Sequence, residues 1–259
     1  MATEEITDIR RDWLLDVRAF EAERVINDNT QRLLSSLRED DLDINRITRL
    51  LSLEPVLSAK ILMICNSSFF GFPRQVTHIE EAIVILGALK LGNLVYSSLL
   101  MVTPTDAPHK SYIKHSLMTA LFSRLVAEKV GLRSEVPFTA GLLHILPVIV
   151  NYRPNIRHFL TGPLLSDAVD EMLTNFHLPP DIISAANGLF VPDTNNLNAI
   201  CLRMAFNLTV VAMGKDDAAF GHLVNVEHDF NRIKLKPREV ADIIKESKLE
   251  QEELRKLLG

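Results

Sequence analysis

Two histidines stand where imidazole chemistry could be done. His115 lies on an apolar helical stripe with Met118, Phe122, Leu125 and Val126, and 29 residues later His144 ends the run Gly141-Leu142-Leu143-His144. An imidazole set into an apolar helix face is either a metal ligand or a core residue whose ring nitrogens are hydrogen-bonded. The two cysteines, Cys65 and Cys201, are far apart and form no CxxC, so neither a disulfide framework nor a zinc-thiolate site is expected. Both thiols read as small core hydrophobes in a reducing compartment. Directly after Cys65 come Asn66 and Ser67, short polar side chains that either cap the end of a helix or line a ligand cleft.

The charge balance narrows the partners. Against 28 basic side chains stand 33 acidic ones, a net charge of -5, whereas a nucleic-acid footprint needs an excess of Lys and Arg. No nucleic acid is therefore expected, and the local run Arg232, Lys234, Lys236, Arg238 reads as a solvated face. The longest apolar candidate, Leu86 to Val102, is broken by Lys90, Asn93, Ser97 and Ser98, short of the roughly 20 residues of a membrane span. MATEEITDIRRDW lacks the apolar region of a signal peptide, so a cytoplasmic protein without a membrane segment is expected.

The elements that must carry these residues are helical nearly everywhere, because apolar residues recur at three- and four-residue steps. Such stripes are Trp13, Val17, Phe20; Ile44, Ile47, Leu50, Leu51; and Leu57, Ile61, Ile64, Cys65 after the interruption at Glu54-Pro55. Thr77 and Glu80 read as a capping box for the face Ile79, Ala82, Ile83, Leu86, with Gly87 as a stop or pivot. The His115 helix closes at Gly131. Later faces are Leu165, Ala168, Val169, Met172, Leu173, Phe176, then Leu197, Ile200, Cys201, Met204, Leu208, Val211, and finally Val240, Ile243, Ile244. Asn187-Gly188 lacks the alternation a hairpin requires. The fold class is all-α, expected as a two-lobed arrangement: an amphipathic helix over 1–26, lobes over 27–105 and 106–225, and a helical extension over 226–259. The first helix offers a face for a homodimer.

The residues between these signals resemble a known family. Glu54-Pro55-Val56-Leu57-Ser58-Ala59-Lys60-Ile61-Leu62, then Cys65-Asn66-Ser67-Ser68-Phe69-Phe70-Gly71, resembles the HDOD (HD-related output domain) signature, with Glu54 in place of the usual Asp. Val76-Thr77-His78-Ile79-Glu80-Glu81-Ala82-Ile83-Val84-Ile85-Leu86-Gly87 is similar to its second block. The later half resembles a degenerate HD-domain metal-dependent phosphohydrolase. In those enzymes a first His, a His-Asp doublet and a late Asp hold divalent cations. His115 and His144 match the two histidines, but Ile145 stands where the doublet needs Asp, and Ala205-Phe206-Asn207 where the late Asp is expected.

The resemblance implies a bacterial regulatory module that binds rather than turns over. It would be a stand-alone copy acting on an unidentified signalling protein or small effector, with no catalytic residues, no metal and no cofactor. Two imidazoles without a carboxylate lack the hard anionic oxygen that holds a divalent cation, so His115 and His144 are remnant metal positions. A ligand cleft, if the module has one, is expected near Asn66, Ser67, His115 and His144. The alternative, a metal-dependent phosphohydrolase with an atypical site, requires further ligands such as His109, His158 and His177 to converge on the pair.

Overall fold

Helix α4, Ala107–Lys129, is the axis that carries His115: from Tyr112 to Ala127 nearly every side chain along it is buried. A helix apolar on all sides must be wrapped by neighbours, and α4 packs against α5 (Glu135–Leu143) and α9 (Leu197–Met213). The computed structural model describes residues 12, 28–39, 41–52, 57–58, 61–62, 65, 76, 79–100, 107–150, 162–175, 178–191, 194–214, 226–249 and 251–252. Among them only helices, turns and irregular segments occur, so the fold is all-α as expected. By internal contacts the chain divides into two units, one of Ala22–Thr103 with Leu249–Gly259 and the other of Pro104–Lys248 with Met1–Glu21.

The first of these units contains α1 (Asp28–Ser36), α2 (Ile44–Ser52) and α3 (Ile79–Leu100), α2 packing against both of the others. Asp43 opens α2 by accepting the Arg46 N–H at 2.9 Å, the role of an N-cap carboxylate. Leu33, Leu34, Leu37, Ile47 and Leu51 fill its core with Leu57, Ile61 and Cys65. Ser58 Oγ donates to the Leu51 carbonyl at 2.7 Å, satisfying one orphan acceptor at the end of α2. Ala82, Ile83 and Leu86 form the buried face of α3 as their spacing predicts, and Gly87 is a pivot: its φ of 70° and ψ of 171° break the helical path inside α3. Ile44, by contrast, is exposed in the first turn of α2. Trp13, Val17, Phe20, Ile64, Thr77 and Phe176 lie outside the described residues.

In the second unit, α4 ends where the left-handed Gly131 (φ 75°) lets the Leu132 N–H reach the Ala127 carbonyl at 2.9 Å. After α5 come α6 (Leu146–Val150), α7 (Gly162–Asn175) and α8 (Pro180–Asn187). Leu165, Ala168, Val169, Met172 and Leu173 are buried along α7. Pro180 and Asp181 occupy the first turn of α8, where a fixed φ and a carboxylate both favour initiation. Asn187-Gly188 makes no hairpin but leads into a 3₁₀ turn, Gly188–Phe190. There a Cβ on Gly188 would lie 2.5 Å from that of Ala199.

Helix α9 begins at Asn196, whose Oδ1 accepts the N–H groups of Asn198 and Ala199 at 3.0 and 3.3 Å. Its buried side is centred on Leu202, Ala205, Phe206 and Thr209, so Ile200, Cys201, Met204 and Leu208 are covered while Val211, rotated away, is 65% exposed. Leu197, in the first turn, is also exposed.

Helices α10 (Glu227–Arg232) and α11 (Pro237–Glu246) complete the unit. Arg203 of α9 is its largest fully buried side chain and binds three elements together. Its Nε and Nη2 donate to Asp229 Oδ2 and Oδ1 of α10 at 2.7 and 3.2 Å, and Nη1 donates to the Val191 carbonyl at 2.5 Å. The C-terminus of α10 turns through Lys234, a non-glycine residue at φ 55°, so that the Leu235 N–H reaches the Phe230 carbonyl at 3.1 Å.

Two stability measurements follow from these contacts. Asp229→Ala strands a buried guanidinium and is expected to cost about 3–5 kcal/mol in a chemical melt; a loss under about 1 kcal/mol would show that Arg203 finds another partner. Lys234→Gly is expected to raise stability by about 0.5–1 kcal/mol, because glycine adopts the left-handed conformation without steric strain.

Candidate functional site: a buried imidazole pair

Helices α4, α5 and α9 meet along a line of small polar side chains. On α4, His115, Ser116, Thr119 and Ser123 are all fully buried. Ser116 Oγ donates to the Leu142 carbonyl. Thr119 Oγ1 donates to Thr209 Oγ1 at 3.1 Å, which in turn donates to the Ala205 carbonyl at 3.0 Å. Gly141 is where α5 comes closest: a Cβ there would lie 2.8 Å from Ser123 Oγ and 3.0 Å from the Ala120 backbone. That approach requires a glycine and explains its place in Gly141-Leu142-Leu143-His144.

At one end of this line the two histidines come together. Their ring centroids are 5.3 Å apart and both side chains are fully buried. His144, just past the end of α5, places Nδ1 2.6 Å from the Gly141 carbonyl. A carbonyl can only accept, so Nδ1 carries the proton and Nε2 keeps its lone pair. That Nε2 is buried and has no hydrogen-bond partner. Burial pushes the His144 pKa well below the ordinary imidazole value, the neighbouring His115 adds to the effect, and the Gly141 hydrogen bond opposes both.

A ring tied through Nδ1 to a carbonyl with Nε2 bare is the tautomer that metal-binding histidines adopt. The surroundings, however, do not fit a divalent cation. Phe206 of α9 sets its ring edge-on to both imidazoles, with centroids 5.2 Å from His115 and 5.9 Å from His144. Ile145 is fully buried, and its carbonyl opens α6 by accepting the Val148 and Ile149 N–H groups. Among the described residues no three His, Cys, Asp or Glu side chains converge into a ligand set. A hard cation here would face aromatic and aliphatic carbon where it needs oxygen.

The structure thus brings His115 and His144 together. Asn66 and Ser67 lie outside the described residues, as do His158 and His177, and of His109 only its place in α4 is described. Phe206 was legible as the residue standing near the expected late carboxylate; its edge-on contact with both rings was not. Arg203 and Asp229, 26 residues apart, give no local signal of their pairing.

An all-helical chain with a buried imidazole pair has the architecture of HD-like and HDOD helical folds. Residues 25–160, more than half of the chain, match the HDOD domain, and the chain belongs to the HDOD domain family. No curated protein matches it. Among solved structures it is similar to an HDOD domain protein of unknown function from Geobacter sulfurreducens, with a TM-score of 0.63 and 18% identity over 90% of this chain and 91% of that one. It is also similar to a candidate phosphohydrolase from Shewanella amazonensis SB2B, with a TM-score of 0.61 and 18% identity over 90% of this chain and 97% of that one. A candidate signal transduction protein from Marinobacter aquaeolei VT8 matches with a TM-score of 0.64 and 15% identity, over 96% of this chain and 65% of that one. At these identities the likeness is one of fold.

The neutral state of His144 has a measurable consequence. Unfolding restores an ordinary imidazole pKa of about 6.5. Below that pH the unfolded chain binds a proton the folded chain refuses, so stability falls as pH falls, by about 1.4 kcal/mol per unit for one such group. Urea melts between about pH 6 and pH 5 are expected to show a slope shallower by that amount in His144→Gln. Parallel slopes in the two proteins would mean that His144 takes up its proton without unfolding.

Proposed function

We propose that this chain is a non-catalytic regulatory module of the HDOD family, working by binding a signalling protein or a small effector in the bacterial cytoplasm. One observation carries the reading: Phe206 is set edge-on to both imidazoles and the residue after His144 is the buried Ile145, at the two places where the resemblance to metal-dependent hydrolases calls for carboxylates. Without them no cluster of three potential ligands among the described residues balances a cation's charge or holds a water to be ionised. The Nε2 of His144 offers one lone pair in a buried setting, too little to organise a reaction.

The thiols fit the same setting. Cys65 and Cys201 are free and buried, and burial raises their pKa values to about 11 and about 12, which keeps them protonated and unreactive. The solved structure called a candidate signal transduction protein lends the regulatory reading a parallel. Among the described residues no helix is long and apolar enough to cross a membrane.

The test is metal content by mass spectrometry on untagged protein, joined to a phosphodiesterase assay with added manganese. The expected result is no stoichiometric metal and no turnover above the His144→Ala background. Stoichiometric iron, manganese or nickel together with turnover that disappears in His144→Ala would overturn the proposal in favour of an atypical phosphohydrolase.

A further inference from the structure

The second unit separates its charges. Around the turn from α10 to α11, the residues from 232 to 238 carry Arg232, Lys234, Lys236 and Arg238 and no acid, in a chain whose net charge is -5. Arg232 is engaged, its Nη2 donating to Asn195 Oδ1. Lys234, Lys236 and Arg238 are exposed, and among the described residues none of their head groups is in an ion pair.

The nearby acids are turned elsewhere. Asp229 gives both oxygens to Arg203. Glu239 accepts the Lys236 backbone N–H at 2.7 Å. Glu239, Asp242 and Glu246 on α11 all act on Lys129 of α4; Glu246 does so most strongly, through a 2.7 Å hydrogen bond, and together they hold the ammonium pKa above its usual value.

The turn is also rigidly mounted. Ile233 and Leu235 are buried at 6% and 4% exposure, so the alternation Ile-Lys-Leu-Lys anchors the apolar pair inward and presents the two lysines to solvent. Lys234 keeps a left-handed backbone that glycine would adopt more easily. A cation held at a strained position on a pinned turn is pre-organised for an anionic partner.

We propose that Lys234, Lys236 and Arg238 form a docking knuckle for an acidic segment of a partner protein. Three cations in one compact turn match a short run of carboxylates. A nucleic-acid track engages more, with about 6–10 phosphate contacts common, and the net negative charge of the chain opposes it. The knuckle lies on α10 and α11 and shares no residue with the imidazole pair, so it stands or falls separately from the question of catalysis.

The experiment uses the full chain and a fluorescein-labelled oligoglutamate peptide, followed by anisotropy at low and high salt. Binding is expected at low salt and is expected to weaken as salt rises. The triple variant Lys234→Glu, Lys236→Glu, Arg238→Glu is expected to bind about tenfold or more weakly. The control Lys90→Glu, Arg133→Glu, Lys248→Glu changes net charge equally at exposed sites outside the turn and is expected to bind like wild type. Should charge reversal impair folding, as judged by circular dichroism, the triple glutamine variant takes its place, with the same loss expected. Equal weakening in patch and control variants would overturn the proposal, as would absence of binding by wild type. Tighter binding of a single-stranded oligonucleotide of equal charge would overturn it too, in favour of a polyphosphate ligand.

Discussion

His144 is buried against a second imidazole, and the second unit is arranged to hold its ring in one neutral tautomer. A protonated ring at this depth would lose its hydration and meet another imidazole 5.3 Å away. The Gly141 carbonyl therefore takes on the one proton His144 must place, fixing its tautomer and orientation. For that bond to form, α5 has to end where it does, and it can lie so close to α4 only because residue 141 has no side chain. Phe206 completes the enclosure from α9, its ring edges set against both imidazoles. Helix spacing, helix length and aromatic packing thus answer to one electrostatic requirement.

The same logic governs the other polar groups in this core. Ser116, Thr119 and Thr209 pass their hydroxyl protons to one another or to helix carbonyls, which satisfies these three hydroxyls where α4 meets its neighbours. Arg203 is the extreme case. A guanidinium at 1% exposure is tolerable only because a bidentate carboxylate and a backbone carbonyl satisfy it. By joining α9, α10 and the segment after the 3₁₀ turn, it also secures the base from which the basic turn projects.

Helix content was legible in the sequence because burial imposes a three- to four-residue period on any helix with a wet side. That signal worked well for α3 and α7, which have one covered face. It was weaker for α9, where nearly all sides are covered and the period blurs: the sequence stripe ran through Val211, whereas the structure centres the buried side on Phe206 and Thr209. The imidazole pair was half legible. His115 and His144 stood out as polar rings on apolar faces, and the family resemblance said that they should meet. The identity of the third group could not be read from spacing, since a phenylalanine on an apolar helix carries no mark of what it faces. Arg203 and Asp229 were illegible for a related reason: long-range pairing leaves no local pattern.

Phe206 and the buried Ile145 give this centre aromatic and aliphatic packing. In a metal site the cation draws helices together through directional bonds that depend on pH and on metal supply. Here the three helices are held by dispersion, aromatic edges and the hydrogen bonds of Ser116 and Thr119. Charge segregation then acquires a use: acids on α11 brace Lys129 on α4, and the cations beside them face water. Recognition from outside depends on such exposed side chains being held in fixed positions by the packed interior beneath them.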